Sequence, residues 1–408
     1  MIFKFNKTII AKILLVFIFA SIFLIILKIF FDPQIEKIEK MINIDKIQNV
    51  SWSQNQCPYI MNDSLKKILD ENKLEYTNKD ENKWNLYLPC TYDDINDEIN
   101  NININNNNND KRLFIINNAD FLTGKDYLWE YIVKYYGTEK ASQMIPMSYI
   151  LSDKNDISRL KREYQKNKLY ILKKNIQRQE GLKITDSLEE MLNAEKDNFV
   201  IAQELLQNPY TINERKINMR FYVLVICKNN KIDVYVFNNG FMYYTKDLFQ
   251  KNNKNFGPNI TTGYIDRWIY EVNPLTHEDF KKYLDNDTRK LSNIELELRQ
   301  QNNKISEVTF NRIYDLLKNI FISFNGKICG GKLNDHLTFQ LFGVDIAIDD
   351  NLYPKIMEMN KGPDMSAKDE RDGSIKYKCT KDILKLVGVI NEPNTDNGFI
   401  QIFDSENI

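Results

Sequence analysis

Histidine is scarce in this 408-residue chain, with His277 and His336 its only examples. The five cysteines, Cys57, Cys90, Cys227, Cys329 and Cys379, are odd in number and show no paired spacing. Together these shortages argue against a zinc site, which draws on clustered thiolates and imidazoles. They also leave no Ser/His or Cys/His set for nucleophilic catalysis. Thiols so scattered, with Cys227 closing the apolar run of residues 221–226, are expected to be reduced and to belong to a reducing compartment. Charge of one sign is missing too. A formal net charge of −1 supplies no field that would gather nucleic acid, so no nucleic-acid partner is expected.

Apolar material is present in quantity, at 43% hydrophobic residues against 27% charged, enough for one large core or two to three smaller ones. The first residues differ in kind from the rest. An apolar run from Ile13 to Leu27 is extended by Thr8 to Ala11 and by Ile29 to Phe31. Lys12 and Lys28 can snorkel, so residues 9–31 reach the roughly 20 residues that a bilayer requires. No small-x-small cleavage motif follows, only Asp32-Pro33-Gln34-Ile35. The expectation is one N-terminal transmembrane helix and a single-pass membrane protein. Lysines are nearly balanced across the span, and the unpaired cysteines place the remainder on the cytosolic side. The chain then divides into an anchor (1–32), a juxtamembrane region with an Asn-rich loop (33–110), a main domain (111–390) and a tail (391–408).

Within residues 93–110 the Asn-dominated stretch offers little to build a core and is expected to be a disordered surface loop. Beyond it, strands are expected at residues 112–116, 169–172, 199–206, 220–226 and 232–237, the last two paired across Lys228-Asn229-Asn230-Lys231. Helices are expected at 125–136, stopped by Gly137, and at about 276–283, 306–321 and 380–389. Strands and helices mixed in this way, with mainly antiparallel neighbours, indicate an α+β domain.

Two segments near the C-terminus carry chemistry. Residues 339–345 and 355–360 read as a β-hairpin. If Ile348 pairs with Tyr353, Asp345 falls opposite Ile356 and shares a face with Glu358 and Asn360. Carboxylates inside such apolar runs are expensive to bury unless a cation accompanies them. Oxygen ligands that leave positions open suit Mg²⁺ carrying nucleotide phosphates. Upstream lie cations placed as a phosphate site needs them. Lys173 closes a strand, Arg178 to Gly181 forms a turn, and Lys216, Asn218, Arg220 and Tyr222 alternate with Ile217, Met219 and Phe221, so that the polar set shares one strand face. Alone, that alternation also fits the solvated face of a sheet.

Tyr170-Ile171-Leu172-Lys173, Gln203 to Pro209, Arg215 to Val225, Phe342-Gly343-Val344-Asp345 and Glu358 to Pro363 resemble, in this order, the tubulin-tyrosine ligase family of ATP-grasp enzymes. Fainter similarity begins near Arg112 and includes Pro146-Met147-Ser148-Tyr149, so the resemblance covers about residues 110–390. It implies an ATP-grasp fold with ATP between two subdomains. It also implies a ligase that joins a free amino acid to a carboxylate of a protein acceptor such as tubulin, through an acyl phosphate. By similarity Lys173 contacts phosphate, Gln203, Glu204, Leu205 and Leu206 line the adenine, and Lys216 and Arg220 meet the nucleotide, Arg220 at the γ-phosphate. Asn218, where the family often has Asp, stands at a ribose or metal contact, and Asp345, Glu358 and Asn360 hold Mg²⁺. A second departure is Gly240-Phe241-Met242-Tyr243-Tyr244, where the family commonly carries an Arg. Two other readings stay open: a non-catalytic nucleotide- or protein-binding module, and an ATP-grasp ligase for small molecules. Acceptor choice would lie in loops such as 261–264 and 361–376, where Lys368 to Asp372 reads as solvated.

Overall fold

The computed structural model describes residue 44 and residues 46–406, except 55–62, 79–82, 91, 93–94, 103–110, 177–180 and 287. Sixteen strands are found among the described residues. They are β1 (Ser51–Gln54), β2 (Glu75–Tyr76), β3 (Leu86–Leu88), β4 (Arg112–Leu113), β5 (Ser148–Ile150), β6 (Tyr170–Lys173), β7 (Leu182–Thr185) and β8 (Ile201–Glu204), followed by β9 (Thr211–Ile212), β10 (Arg215–Lys228), β11 (Lys231–Phe237), β12 (Phe241–Thr245), β13 (Thr261–Thr262), β14 (Leu337–Ile348), β15 (Pro354–Lys361) and β16 (Phe399–Asp404). Twelve form one sheet in the order β13-β12-β10-β14-β4-β3-β1-β2, with β9, β11, β15 and β16 pairing alongside, and four form a second in the order β5-β8-β6-β7. With helices set between them, the α+β expectation holds. The large sheet is antiparallel around β10 and β14 and turns parallel from β14 through β4, β3 and β1 to β2.

Period-2 patterning explains the centre. Ile217, Met219, Phe221 and Val223 of β10 and Val344, Ile346 and Ile348 of β14 face one core, shared with Phe310, Ile313, Leu317, Ile320 and Phe321 of the helix Ile305–Ser323. The small sheet turns Tyr170, Leu172 and Ala202 into a separate cluster with Leu160 and Met191. The β10–β11 hairpin turns through Asn229 and Asn230, both at positive φ, which asparagine tolerates better than most residues. The helix Lys125–Tyr136 stops at Gly137, whose φ of 79° suits a residue without Cβ.

Several expectations need correction. The single-pass membrane placement is not upheld: among the described residues no helix is long and apolar enough to cross a membrane. The longest, Ile305–Ser323, carries Glu307, Arg312, Asp315 and Lys318. The apolar run of residues 9–31 lies outside the described residues. The Asn-rich segment is not uniformly loop, for Ile95–Asn101 is a helix whose Ile95 and Ile99, with Ile102 beyond it, are buried. Helical spacing of three isoleucines outweighs the polar composition there; residues 103–110 are outside the described set. Lys368 to Arg371 are exposed, as a solvated segment would be, but from Glu370 the segment is helix rather than loop. Asp369 caps the helix Glu370–Leu386, its carboxylate accepting from the Asp372 amide, and Asp372 is buried against Lys376 at 2.9 Å. The cysteines are not all reduced thiols: Cys227 and Cys329 form a disulfide across a separation of 102 residues, and Cys90 is disulfide-bonded as well. Tertiary folding joins positions that sequence spacing could not relate.

Candidate functional site

The hairpin of β14 and β15 forms, in a register other than the one expected. Ile348 pairs with Pro354 and Ile346 with Ile356; a bulge then intervenes, and Asp345 pairs with Glu358 and Gly343 with Asn360. The extra residue is Met357. A bulge lets two residues oppose one, which puts Asp345 directly across from Glu358 and frees the Met357 carbonyl from the ladder. Lys173, at the end of β6, donates to that carbonyl at 3.1 Å. The bulge thereby joins the small sheet to the large one at the carboxylates.

On the other side of β14, Arg220 of β10 pairs with Asp345. Its Nε donates to Asp345 Oδ1 at 2.6 Å and its Nη2 to Oδ2 at 3.1 Å, a bidentate pair. Gly343 gives the arginine room: a Cβ there would lie 3.2 Å from Arg220 Nη1 and 2.9 Å from Pro363 Cβ. The face that Lys216, Asn218, Arg220 and Tyr222 share is not solvated. Lys216 is 2% exposed and Tyr222 0%. Among the described residues the Lys216 ammonium has no hydrogen-bond or ion-pair partner. Burial, reinforced by Lys173, lowers its pKa to about 8. Lys173 is likewise brought to about 8 by burial, with Glu358 pulling upward and Lys125 downward.

The two carboxylates differ. Burial pushes the Asp345 carboxyl up against the pull of Arg220. Burial pushes Glu358 up too, but Lys125, a hydrogen bond from the Asn360 amide at 2.9 Å, Lys173 and Arg220 together hold it below its ordinary value. The cations and the amide gathered around Glu358 thus separate two like groups. Lys125 had no signal in the sequence. It starts a helix whose end is tied to the segment after β6, its backbone amide donating to Asn175 Oδ1 at 2.9 Å.

Across from this cluster, Lys173 and Gln203 share one face of the small sheet, as the pairs Lys173–Ile201 and Ile171–Gln203 require. Gln203 Nε2 donates to Ser148 Oγ at 2.9 Å, while its Oε1 is buried without a partner. Glu204 lies on the opposite face and pairs with Lys168, so it does not share the face of Lys173 and Gln203. Leu205 and Leu206 follow the strand and are buried, Leu205 packing on Leu169, Ile171 and Ile184. Asn218 Oδ1 is a second buried oxygen without a partner. The turn of residues 178–180 lies outside the described residues.

The arrangement fits an anionic phosphorylated ligand. Two ammoniums and a guanidinium are buried together, one ammonium unpartnered, and two amide oxygens wait for donors. Fit to a divalent ion is narrower. Asp345, Glu358 and Asn360 supply hard oxygens, but both Asp345 oxygens are engaged by Arg220. Among the described residues no group of three or more His, Cys, Asp or Glu side chains is placed to hold a metal. An ion at this hairpin requires Arg220 to let go.

Residues 102–397 match the family model described as the tubulin-tyrosine ligase family. Similar curated proteins include a tubulin polyglutamylase of Caenorhabditis briggsae, 24% identical over 67% of this chain and 45% of its own length. A probable tubulin polyglutamylase of Homo sapiens is 25% identical over 66% of this chain and 46% of its own length. One of Rattus norvegicus is 25% identical over 46% and 38%. The chain spans about half the length, or less, of these relatives.

Proposed function

Because the chain belongs to the tubulin-tyrosine ligase family, we propose that it is an ATP- and Mg²⁺-dependent ligase of ATP-grasp architecture, adding an amino acid to a carboxylate of a protein acceptor. The relatives' names make glutamate the first amino acid and tubulin the first acceptor to try. The observation that carries the reading is the buried Lys216 ammonium, without a partner among the described residues and close to Lys173, whose own ammonium lies by Glu358 and Asp345. A cleft that concentrates positive charge next to two carboxylates is suited to a nucleotide phosphate with its cation.

In this reading Lys173 and Lys216 hold the phosphates, and Gln203, Leu205 and Leu206 border the base, with Glu204 supporting the strand from behind. Asn218 offers its free oxygen to the ribose or the ion. Asp345, once released by Arg220, would hold Mg²⁺ with Glu358 and Asn360, and the ion would supply charge neutralisation at the phosphates. Arg220 turns from Asp345 to the γ-phosphate. An acceptor carboxylate oxygen then attacks the γ-phosphorus as ADP leaves, giving an acyl phosphate. The amine of the incoming amino acid attacks the acyl carbon, phosphate leaves, and the amine proton passes to solvent. Positioning and electrostatics suffice, so no covalent enzyme residue is needed.

A second reading, a nucleotide-binding module without catalysis, is favoured by one observation: Arg220 and Asp345 neutralise each other. One experiment separates the two. The full chain is incubated with Mg-ATP, tubulin and labelled glutamate, with Asp345→Ala alongside. Label transfer lost in the variant supports the ligase. Mg-ATP binding without transfer supports the module, and no binding overturns both.

A further inference from the structure

Arg220 has a contact that its pairing with Asp345 leaves unused. The carbon of its guanidinium lies 5.2 Å from the centroid of the Tyr243 ring, within the range of a cation–π interaction. Tyr243 belongs to β12, opposite Asn218, and Arg220 itself pairs with Phe241. The ring is backed by the segment after β13. A Cβ on Gly263 would stand 3.0 Å from Tyr243 Cε1, and the Gly263 carbonyl accepts from Lys368 Nζ at 3.0 Å. Lys368 in turn covers the Tyr264 ring at 4.3 Å. Burial pushes the Tyr243 phenol up to about 12 against the pull of Arg220, which keeps the ring neutral at ordinary pH.

The nucleotide reading asks Arg220 and Asp345 to separate, one to phosphate and one to the cation. Once Asp345 turns away, the ring is a contact already in place that can still hold the guanidinium, since Gly343 beside it offers no side chain. We propose that Tyr243 is a positioning residue, retaining Arg220 over the cleft when its carboxylate partner is drawn off. The inference rests on the nucleotide site proposed above and concerns the terminal phosphate alone. Tyr243 acts through Arg220 and touches no reacting atom.

The test compares the full chain with Tyr243→Leu and Tyr243→Phe by calorimetric titration with a non-hydrolysable Mg-ATP analogue and, separately, with Mg-ADP. Losing the ring should weaken the ATP analogue about ten-fold and ADP less than about two-fold, because only the former carries the phosphate that Arg220 meets. Tyr243→Phe keeps the ring face and should restore the difference. A merely structural role would weaken both nucleotides alike in Tyr243→Leu, and that result overturns the proposal. So does unchanged binding of both, or a Phe variant as impaired as Leu. A parent chain that binds neither nucleotide removes the nucleotide site itself, and this inference with it, a failure distinct from the others.

Discussion

Lys216 is a costly side chain for this fold. Burial that takes an ammonium from 10.5 to about 8 corresponds to roughly 3 kcal/mol of unfavourable free energy at neutral pH. Among the described residues no partner offsets it, which is the cost that the proposed nucleotide would repay. Lys216→Met, which keeps most of the stem, is expected to raise the unfolding free energy by about 1–3 kcal/mol in urea while Mg-ATP binding falls at least about ten-fold. Lower stability together with unchanged binding would remove Lys216 from the site. The pH dependence has two opposite signs. The folded pKa lies below the unfolded one, so between about 8 and 10.5 the unfolded chain holds more protons and stability rises with pH. Anion binding needs the charged ammoniums of Lys173 and Lys216, so nucleotide affinity should fall as pH rises through about 8. The alternation that marks Lys216, Asn218 and Arg220 was legible in the sequence. Their burial was not, because a solvated strand face alternates in the same way.

At the scale of elements, β10 and the helices Lys125–Tyr136 and Ile305–Ser323 were readable because long periodic patterns and a stopping glycine define them. The β14–β15 hairpin was readable as a hairpin and misread in register. A bulge at Met357 leaves no mark in an apolar run, yet it decides which residue faces Asp345 and where Lys173 finds its carbonyl. The helix Glu370–Leu386 was expected to start some ten residues later, since its first turns look like a charged loop until Asp372 and Lys376 are seen paired in the interior. Gly343 tests how much the strand itself contributes. Its backbone is not among the positive-φ glycines, so alanine brings no conformational strain, only a methyl 3.2 Å from Arg220 Nη1 and 2.9 Å from Pro363 Cβ. Gly343→Ala should therefore keep its fold, losing about 1–2 kcal/mol, while ATP-dependent label transfer falls about ten-fold. A variant with full activity and an unchanged melt would show that Arg220 does not need the space.

On the scale of the whole molecule, Cys227–Cys329 joins the far end of β10 to the loop after the helix Ile305–Ser323. Cys227 stands seven positions beyond Arg220 on the same strand, roughly 23 Å away along an extended chain. Closing a loop of about 100 residues restricts the unfolded chain by about 4–5 kcal/mol in the chain-entropy account. It fastens the helix that backs the central core to the strand that bears the site. Cys379 is the free thiol among the described residues, and it is buried. Reducing agent, or Cys227→Ser with Cys329→Ser, is thus expected to lower the melting temperature by several degrees. The dissociation constant for Mg-ATP measured well below that melt should change less than about two-fold, because none of Lys173, Lys216 or Arg220 touches the bridge. Equal melting with and without reductant would mean that the two thiols are not joined in solution. A fall in nucleotide affinity that parallels the fall in stability would instead tie the site to this distant end of β10. The whole 14-residue strand would then respond as one rigid element.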